Sequence, residues 1–325
     1  MKDLKIFITG SQGFIGKLLT KSLLENGHEI IGLDLLKNSI DHKKYTHIQG
    51  NIMDSSLLSN SMSASIDAVI HLAAEHKDYG ISDAEYFSVN EKGTQNLLEC
   101  ANDNSINNFI FFSSVAIYGQ INGATEITPP SPSTSYGKSK LAAENALKYW
   151  VDDDPNRSAR IIRPTVVFGP NNFANIFRLI SRVCDEKFLW VGNGENIKSI
   201  AYVENLVAAT LFLLDSLKPG LEIYNYSDQP PISIKELVNI VANSASVNVP
   251  NFRIPTKIAF SIAGLIDSFG KVFRFNFSFS KERFKKFSAN SNYPSDKIRA
   301  SGYRQEITIS EGIKKTVEWY LETKV

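Results

Sequence analysis

The chain has 325 residues and a formal net charge of +1, enough length for one large or two medium domains with real cores. With 43% apolar and 21% charged residues it reads as globular, and the balanced charge gives no footing for nucleic acid. Its two cysteines, Cys100 and Cys184, lie far apart with no CxxC or His-rich neighbourhood, so neither a disulfide framework nor a zinc site is indicated and a reducing compartment fits.

The opening run "LKIFITG" reaches glycine too soon for a signal-peptide core or a membrane span, so a cytoplasmic protein is expected. From there β-branched or aromatic runs alternate with helix-period segments, the pattern of βαβ units and a parallel sheet. "LKIFIT", "HEIIGLD", "YTHIQ", "DAVIHLA", "NFIFFSS" and "ARIIRPT" read as six strands, with the clearest helices over 14–26, 83–103 and 135–150. The expected fold is α/β, a Rossmann doubly wound parallel sheet whose ligand crevice lies beyond the carboxyl ends of its strands, with a smaller α/β substrate-binding domain. After Pro164, Pro- and Gly-containing loops separate shorter elements, which sets the expected domains at 1–167 for the dinucleotide and 168–325 for substrate. Segments near 198–226 are expected to return to the main sheet.

"ITGSQGFIG" follows a strand and opens a helix, placing Gly10, Gly13 and Gly16 where backbone must approach a pyrophosphate at a helix N-terminus. Asp34 ends the next strand, where a carboxylate accepts from both ribose hydroxyls of NAD and repels the 2′-phosphate of NADP. Leu35 and Leu36 follow it, with no arginine to rescue that phosphate, so NAD is the expected cofactor.

"SYGKSK" puts Tyr136 and Lys140 one turn apart on a helix, facing the same way. A nearby ammonium favours the phenolate, which is what a tyrosine needs to act as a base near neutral pH. "FFSSVAIYG" ends a strand at the ligand edge and offers Ser114 as a hydroxyl partner for a reacting alcohol.

In this order the glycine loop, Asp34, "HLAA" (71–74), Asn90 in "VNEKGT", "SSVAIYG", Tyr136 with Lys140, and "IIRPTVVFGPNN" resemble the extended short-chain dehydrogenase/reductase family of NAD-dependent sugar epimerases and dehydratases. The resemblance spans nearly the whole chain. It implies tightly held NAD and a catalytic set of Ser114, Tyr136 and Lys140. For the cofactor it implies contacts from Gly10, Gln12, Gly13, Phe14, Ile15, Gly16, Asp34, Asn51, Ile52, Leu72, Ala73, Ala74, Tyr136, Lys140 and Pro164. For substrate it implies Glu75, His76, Ser114, Val115, Asn172 and Lys198. It also implies a homodimer through the helices over 83–103 and 135–150.

The departures from the family pattern narrow the chemistry. Its 4,6-dehydratases carry an Asp-Glu pair after the serine position, where this chain has Val115 and Ala116, so elimination of water is not expected. Val166 stands where an asparagine is usual, and Lys198, Ser199 and Ile200 replace an Arg-Asp-Tyr stretch that contacts nucleotide diphosphate; a lysine lacks the arginine fork. "HLAAEHKD", "VGNGENIKSIAYVENLV" and "IYNYSDQP" resemble a branch acting at C4 of N-acetylglucosamine on undecaprenyl diphosphate. Glu75 and His76 read equally as sugar-pocket residues or as a solvated loop pair. A sugar-nucleotide 4-epimerase, a keto-sugar 4-reductase and a non-catalytic NAD sensor are the rival readings, the last disfavoured by the intact Ser114/Tyr136/Lys140 set.

From Phe252 to Phe287 the chain carries eight Lys or Arg and nine Phe against Asp267 and Glu282. Two readings stand: an interfacial element on an anionic membrane face, suited to a lipid-linked sugar, or an apolar helix stripe and a half-buried strand.

Overall fold

The computed structural model describes residues 3–63, 65–77, 80–259, 261 and 289–324. The segments 262–269 and 273–287, on which the interfacial reading rests, lie outside the described residues.

All six predicted strands form, as β1 (Lys5–Thr9), β2 (Glu29–Asp34), β3 (Tyr45–Gln49), β4 (Ala68–His71), β5 (Asn108–Phe112) and β6 (Ser158–Pro164). A seventh, Gly220–Tyr226, joins them from the returning segment, and is called β11 because four short strands intervene: β7 (Val166–Phe168), β8 (Trp190–Val191), β9 (Ile197–Lys198) and β10 (Ile200–Tyr202). The sheet order is β11-β6-β5-β4-β1-β2-β3, and every pairing within it is parallel. This is the doubly wound topology, with the order reversing beside β1. β4 and β6 are buried at every residue, as central parallel strands covered on both faces must be.

The helices that position the site are α1 (Phe14–Glu25), α2 (Ser55–Ser61), α3 (Asp83–Phe87), α4 (Gly93–Asp103) and α5 (Ser135–Asp152). The single helix expected over 83–103 is interrupted by a π-helical turn at Ser88–Lys92. At its centre Asn90 is buried and hydrogen-bonded to another loop, a competing attachment of the kind that accompanies such turns. On this face of the sheet the core joins Phe109, Phe111 and Ile161 to Leu97, Ala143, Leu147 and Trp150.

The chain divides into two compact units. The first takes Met1–Thr165, Val203–Ser227 and Tyr293–Glu306, and so includes α7 (Val203–Asp215) and β11. The second takes Val166–Tyr202, Asp228–Asn292 and Ile307–Val325. In the second unit β7 pairs with β10, and β12 (Ile232–Ser233) pairs antiparallel with β9. Its helices include α6 (Asn175–Cys184) and α8 (Ile234–Ala245). Phe173 and Phe177 meet Trp319 edge-on or tilted, with centroids 5.7 and 6.0 Å away.

Candidate active site

The glycine turn closes on itself. Gly10 has φ +74°, and a Cβ at Gly16 would stand 1.9 Å from the Gly10 carbonyl oxygen, so α1 meets the turn with no room for a side chain. Gly13 caps α1 without a side-chain hydrogen bond and no acid occupies the first turn, which leaves the helix N-terminus open to an anion. On the neighbouring strand end, Leu72 N–H donates to the Thr9 carbonyl and Ala73 N–H to the Thr9 hydroxyl, bringing Leu72 and Ala73 against Gly10.

Asp34 sits at the end of β2 with one carboxylate oxygen receiving Gln12 N–H and the other Leu36 N–H, both at 2.9 Å. Each oxygen keeps a lone pair for a further donor. The side chain of Gln12, a residue expected at the cofactor, is buried and bound within the protein: its amide donates to the Tyr45 hydroxyl at 2.8 Å and accepts from Ser39. Asn51 is exposed and accepts Met53 N–H, while Ile52 is buried against Gly93.

Thr134 caps α5, its hydroxyl accepting Gly137 N–H at 3.1 Å, and so fixes the turn carrying Tyr136. Tyr136 is half-buried, its ring edge-on to Tyr86 at 6.2 Å. One turn on, Lys140 is only 1% exposed and its ammonium lies over the Phe111 ring, 4.2 Å from the centroid. Burial pulls its pKa down to about 7, against the opposing field of Glu144. Ser114 ends β5's extension, its hydroxyl accepting Ala116 N–H at 3.1 Å at the head of the 3-10 turn Val115–Tyr118.

A buried chain of hydrogen bonds runs beneath these groups. Thr94 donates to the Asn90 carbonyl, so His71 Nε2–H must donate to Thr94 and His71 Nδ1 must accept from Thr9, at 3.0 and 2.6 Å. Burial, with Lys140 adding to it, holds the His71 pKa well below its ordinary value, so the ring is neutral. Asn90 grips Glu75 by both its N–H and its carbonyl and donates to Ser139, whose hydroxyl reaches the Tyr136 carbonyl. The Glu75 carboxylate meanwhile accepts His76 and Lys77 N–H, and His76 is exposed.

Sequence reasoning missed the ion pair behind Lys140. Glu144 accepts from Arg163 Nε at 2.9 Å and from its Nη2, both side chains being 4% exposed, and Arg163 Nη1 donates to Tyr118. The available signal was a charged residue within the apolar strand "ARIIRPT" and a glutamate four residues after Lys140.

Asn172 and Lys198 lie in the second unit. Asn172 donates to the Val167 carbonyl and accepts Ala174 N–H, a loop-closing role. Lys198 donates to the Ala289 carbonyl at 2.6 Å, and burial lowers its pKa to about 8.

The first unit thus brings together an unoccluded helix N-terminus, a strand-end carboxylate and a buried lysine one turn from a tyrosine, a set that fits a dinucleotide. No group of acids, histidines or cysteines able to hold a metal occurs among the described residues. Residues 6–226 match the family described as "NAD dependent epimerase/dehydratase family". The chain is 34% identical to an N-acetyl-α-D-glucosaminyl-diphospho-undecaprenol 4-epimerase of Escherichia coli O157:H7, with 97% of this chain and 94% of the relative covered. It is 30% identical to a human dTDP-D-glucose 4,6-dehydratase, covering 98% of this chain and 90% of that one. A UDP-glucose 4-epimerase structure from Thermotoga maritima shares the fold at TM-score 0.79, with 21% identity and coverage of 99% and 100%. The glycine turn, the strand-end carboxylate and the tyrosine-lysine helix are therefore those of a known lineage: the chain belongs to the NAD dependent epimerase/dehydratase family and is an NAD-dependent enzyme of the extended short-chain dehydrogenase/reductase type.

Proposed function

We propose that the protein inverts C4 of an N-acetylhexosamine, interconverting N-acetylglucosamine and N-acetylgalactosamine on a diphosphate carrier, with undecaprenyl diphosphate preferred over UDP. The observation that carries this reading is the 34% identity, along 97% of the chain, to a relative named for that reaction. Val115 and Ala116 in place of an acid pair argue against dehydration even though a dehydratase is among the relatives.

Bound NAD supplies reversible oxidation at the sugar carbon. In this scheme the Tyr136 phenolate takes the proton of the C4 hydroxyl while the Ser114 hydroxyl holds that oxygen in line. Lys140, one turn beneath, favours the phenolate while charged and holds the cofactor's ribose. Asn90, through Ser139 and the backbone of Glu75, keeps the tyrosine turn and the loop 75–77 in one frame. The resulting 4-keto sugar turns over, and reversal of the oxidation at the other face of C4, with Tyr136 returning the proton to the C4 oxygen, would yield the epimer. The second unit is assigned to the sugar and its diphosphate, with Lys198 as a point charge. The product would feed cell-surface polysaccharide synthesis.

The same reading carries a homodimer through α4 and α5. That face presents Tyr149, 76% exposed, beside a cleft lined by Gln95, Glu99, Asn102 and Arg157. It also carries a cytoplasmic location with contact to the inner membrane face through the Phe-rich basic stretch. No helix among the described residues is long and apolar enough to cross a membrane.

The test is the C4 configuration of N-acetylglucosamine after incubation of the protein with the polyprenyl-diphosphate-linked and the UDP-linked sugar in parallel. Conversion on the lipid-linked sugar alone supports the reading. Conversion on UDP alone moves it to a sugar-nucleotide epimerase, and conversion of neither, with reduction of a 4-keto sugar, replaces it by a reductase.

A further inference from the structure

The segment between β2 and β3 is fastened by side chains that the scheme above does not use. Gln12 stands at the crossing. Its backbone N–H holds one oxygen of Asp34, while its side-chain oxygen accepts from both the N–H and the hydroxyl of Ser39, at 3.1 and 2.6 Å. Its side-chain amide donates to the Tyr45 hydroxyl, which also meets Ser11 Oγ at 3.1 Å and His47 Nδ1 at 3.3 Å. The Tyr45 hydroxyl occupies the space over Gly32, where a Cβ would come within 2.4 Å of it. Glycine at that point of β2 therefore lets β3 reach across to the glycine turn.

The consequence for Asp34 is confinement from both sides. The glycine turn holds one carboxylate oxygen, the Leu36 N–H holds the other, and the segment carrying Leu36 is tied at Ser39 to the residue on the first side. Leu35 and Leu36 are 65% and 58% exposed, so between Asp34 and Ser39 the segment is held by polar bonds, and its apolar anchor, the buried Ile40, comes only after them.

We propose that Gln12, Ser39 and Tyr45 form a latch that immobilises Asp34 and thereby sets how strongly the site rejects a 2′-phosphate. A carboxylate free to rotate can withdraw from a phosphate and let water or a cation stand between them; a carboxylate pinned at both oxygens cannot. The repulsion that discriminates NADP from NAD is then maintained at short range. Gln12, Ser39 and Tyr45 act through Asp34 and are positioning residues.

The test is a competition on the full-length protein. NAD and NADP are mixed over a range of ratios, and the nucleotide bound at equilibrium is released and quantified for wild type, Tyr45→Phe, Ser39→Ala and their double variant. The expected result is a bound-ratio shift of about tenfold toward NADP in the double variant, on the scale of one or two lost hydrogen bonds. A purely structural network would lower both affinities together and leave the ratio unmoved, and that result, or no change in either affinity, overturns the proposal. Asp34→Asn run alongside separates the two layers. If it too leaves the ratio unmoved, the assignment of Asp34 fails, whereas a shift in Asp34→Asn with none in the double variant removes the latch alone. Hydrogen exchange adds a second readout. The Ser39 amide, which donates to Gln12, should exchange faster in Tyr45→Phe, and unchanged protection there also counts against the latch.

Discussion

Tyr136 and Lys140 differ in what their surroundings demand. The tyrosine is half-buried and faces Tyr86, whereas the lysine is sealed under the site with an aromatic ring beneath its charge. Replacing Tyr136 by Phe should cut turnover by at least about a hundredfold while bound NAD, measured by its release from purified protein, stays at the wild-type level. Lys140 carries a pH signature of its own. Its pKa is about 7 when folded against an ordinary 10.5, so between those values the unfolded chain holds a proton that the folded chain has lost. Stability of the cofactor-free protein should therefore rise with pH across that window, and below pH 7, where both states are protonated, the full burial cost remains. Lys140→Met should abolish this slope, and denaturant midpoints of both proteins across the window check it. An unchanged slope would show that the lysine is not buried as described. His71 acts on the acid side: its lowered pKa means that stability falls as pH drops below 6.5, where the unfolded ring binds a proton first.

At the scale of elements, α5 is joined to the sheet by a buried charge pair as well as by apolar packing. Glu144→Gln leaves the Arg163 guanidinium uncompensated, and the expected loss is about 3–5 kcal/mol in a urea melt. The same change removes the field that supports the Lys140 proton, so its pKa should fall further. For α1 the decisive contact is backbone on backbone. Gly16→Ala places a methyl group 1.9 Å from the Gly10 carbonyl, so α1 must shift, and the protein should purify without NAD. Retention of NAD at wild-type level in that variant would show that the turn can yield.

For the whole molecule, the proposed homodimer through α4 and α5 predicts that Tyr149→Glu, on the exposed face of α5, lowers the mass seen by light scattering from dimer to monomer, and a wild type that is already a monomer overturns that proposal. The six strands and the helix carrying Tyr136 and Lys140 were legible because β-branched runs, a glycine turn and a tyrosine-lysine spacing are local patterns. What escaped were pairings between distant residues. Nothing near Asn90 announces that it will hold Glu75 and Ser139, or that a π-helical step will interrupt the helix there. Gln12 lies inside the glycine turn, and only the placement of Tyr45 and Ser39 shows where its side chain goes. The first unit is assembled from three stretches of chain, with β11 arriving after an excursion through Val166–Tyr202. On a ribosome that order has a cost in time. When β6 has emerged, its edge carries seven residues destined for burial and has no neighbour on one side. At about 5–20 residues per second the covering strand follows only several seconds later. During that interval the nascent chain exposes the unpaired backbone of a strand destined for burial, the kind of edge to which another chain can add. A fragment cut after Thr165 should accordingly partition into the aggregated fraction to a greater extent than the intact chain when the two are expressed side by side.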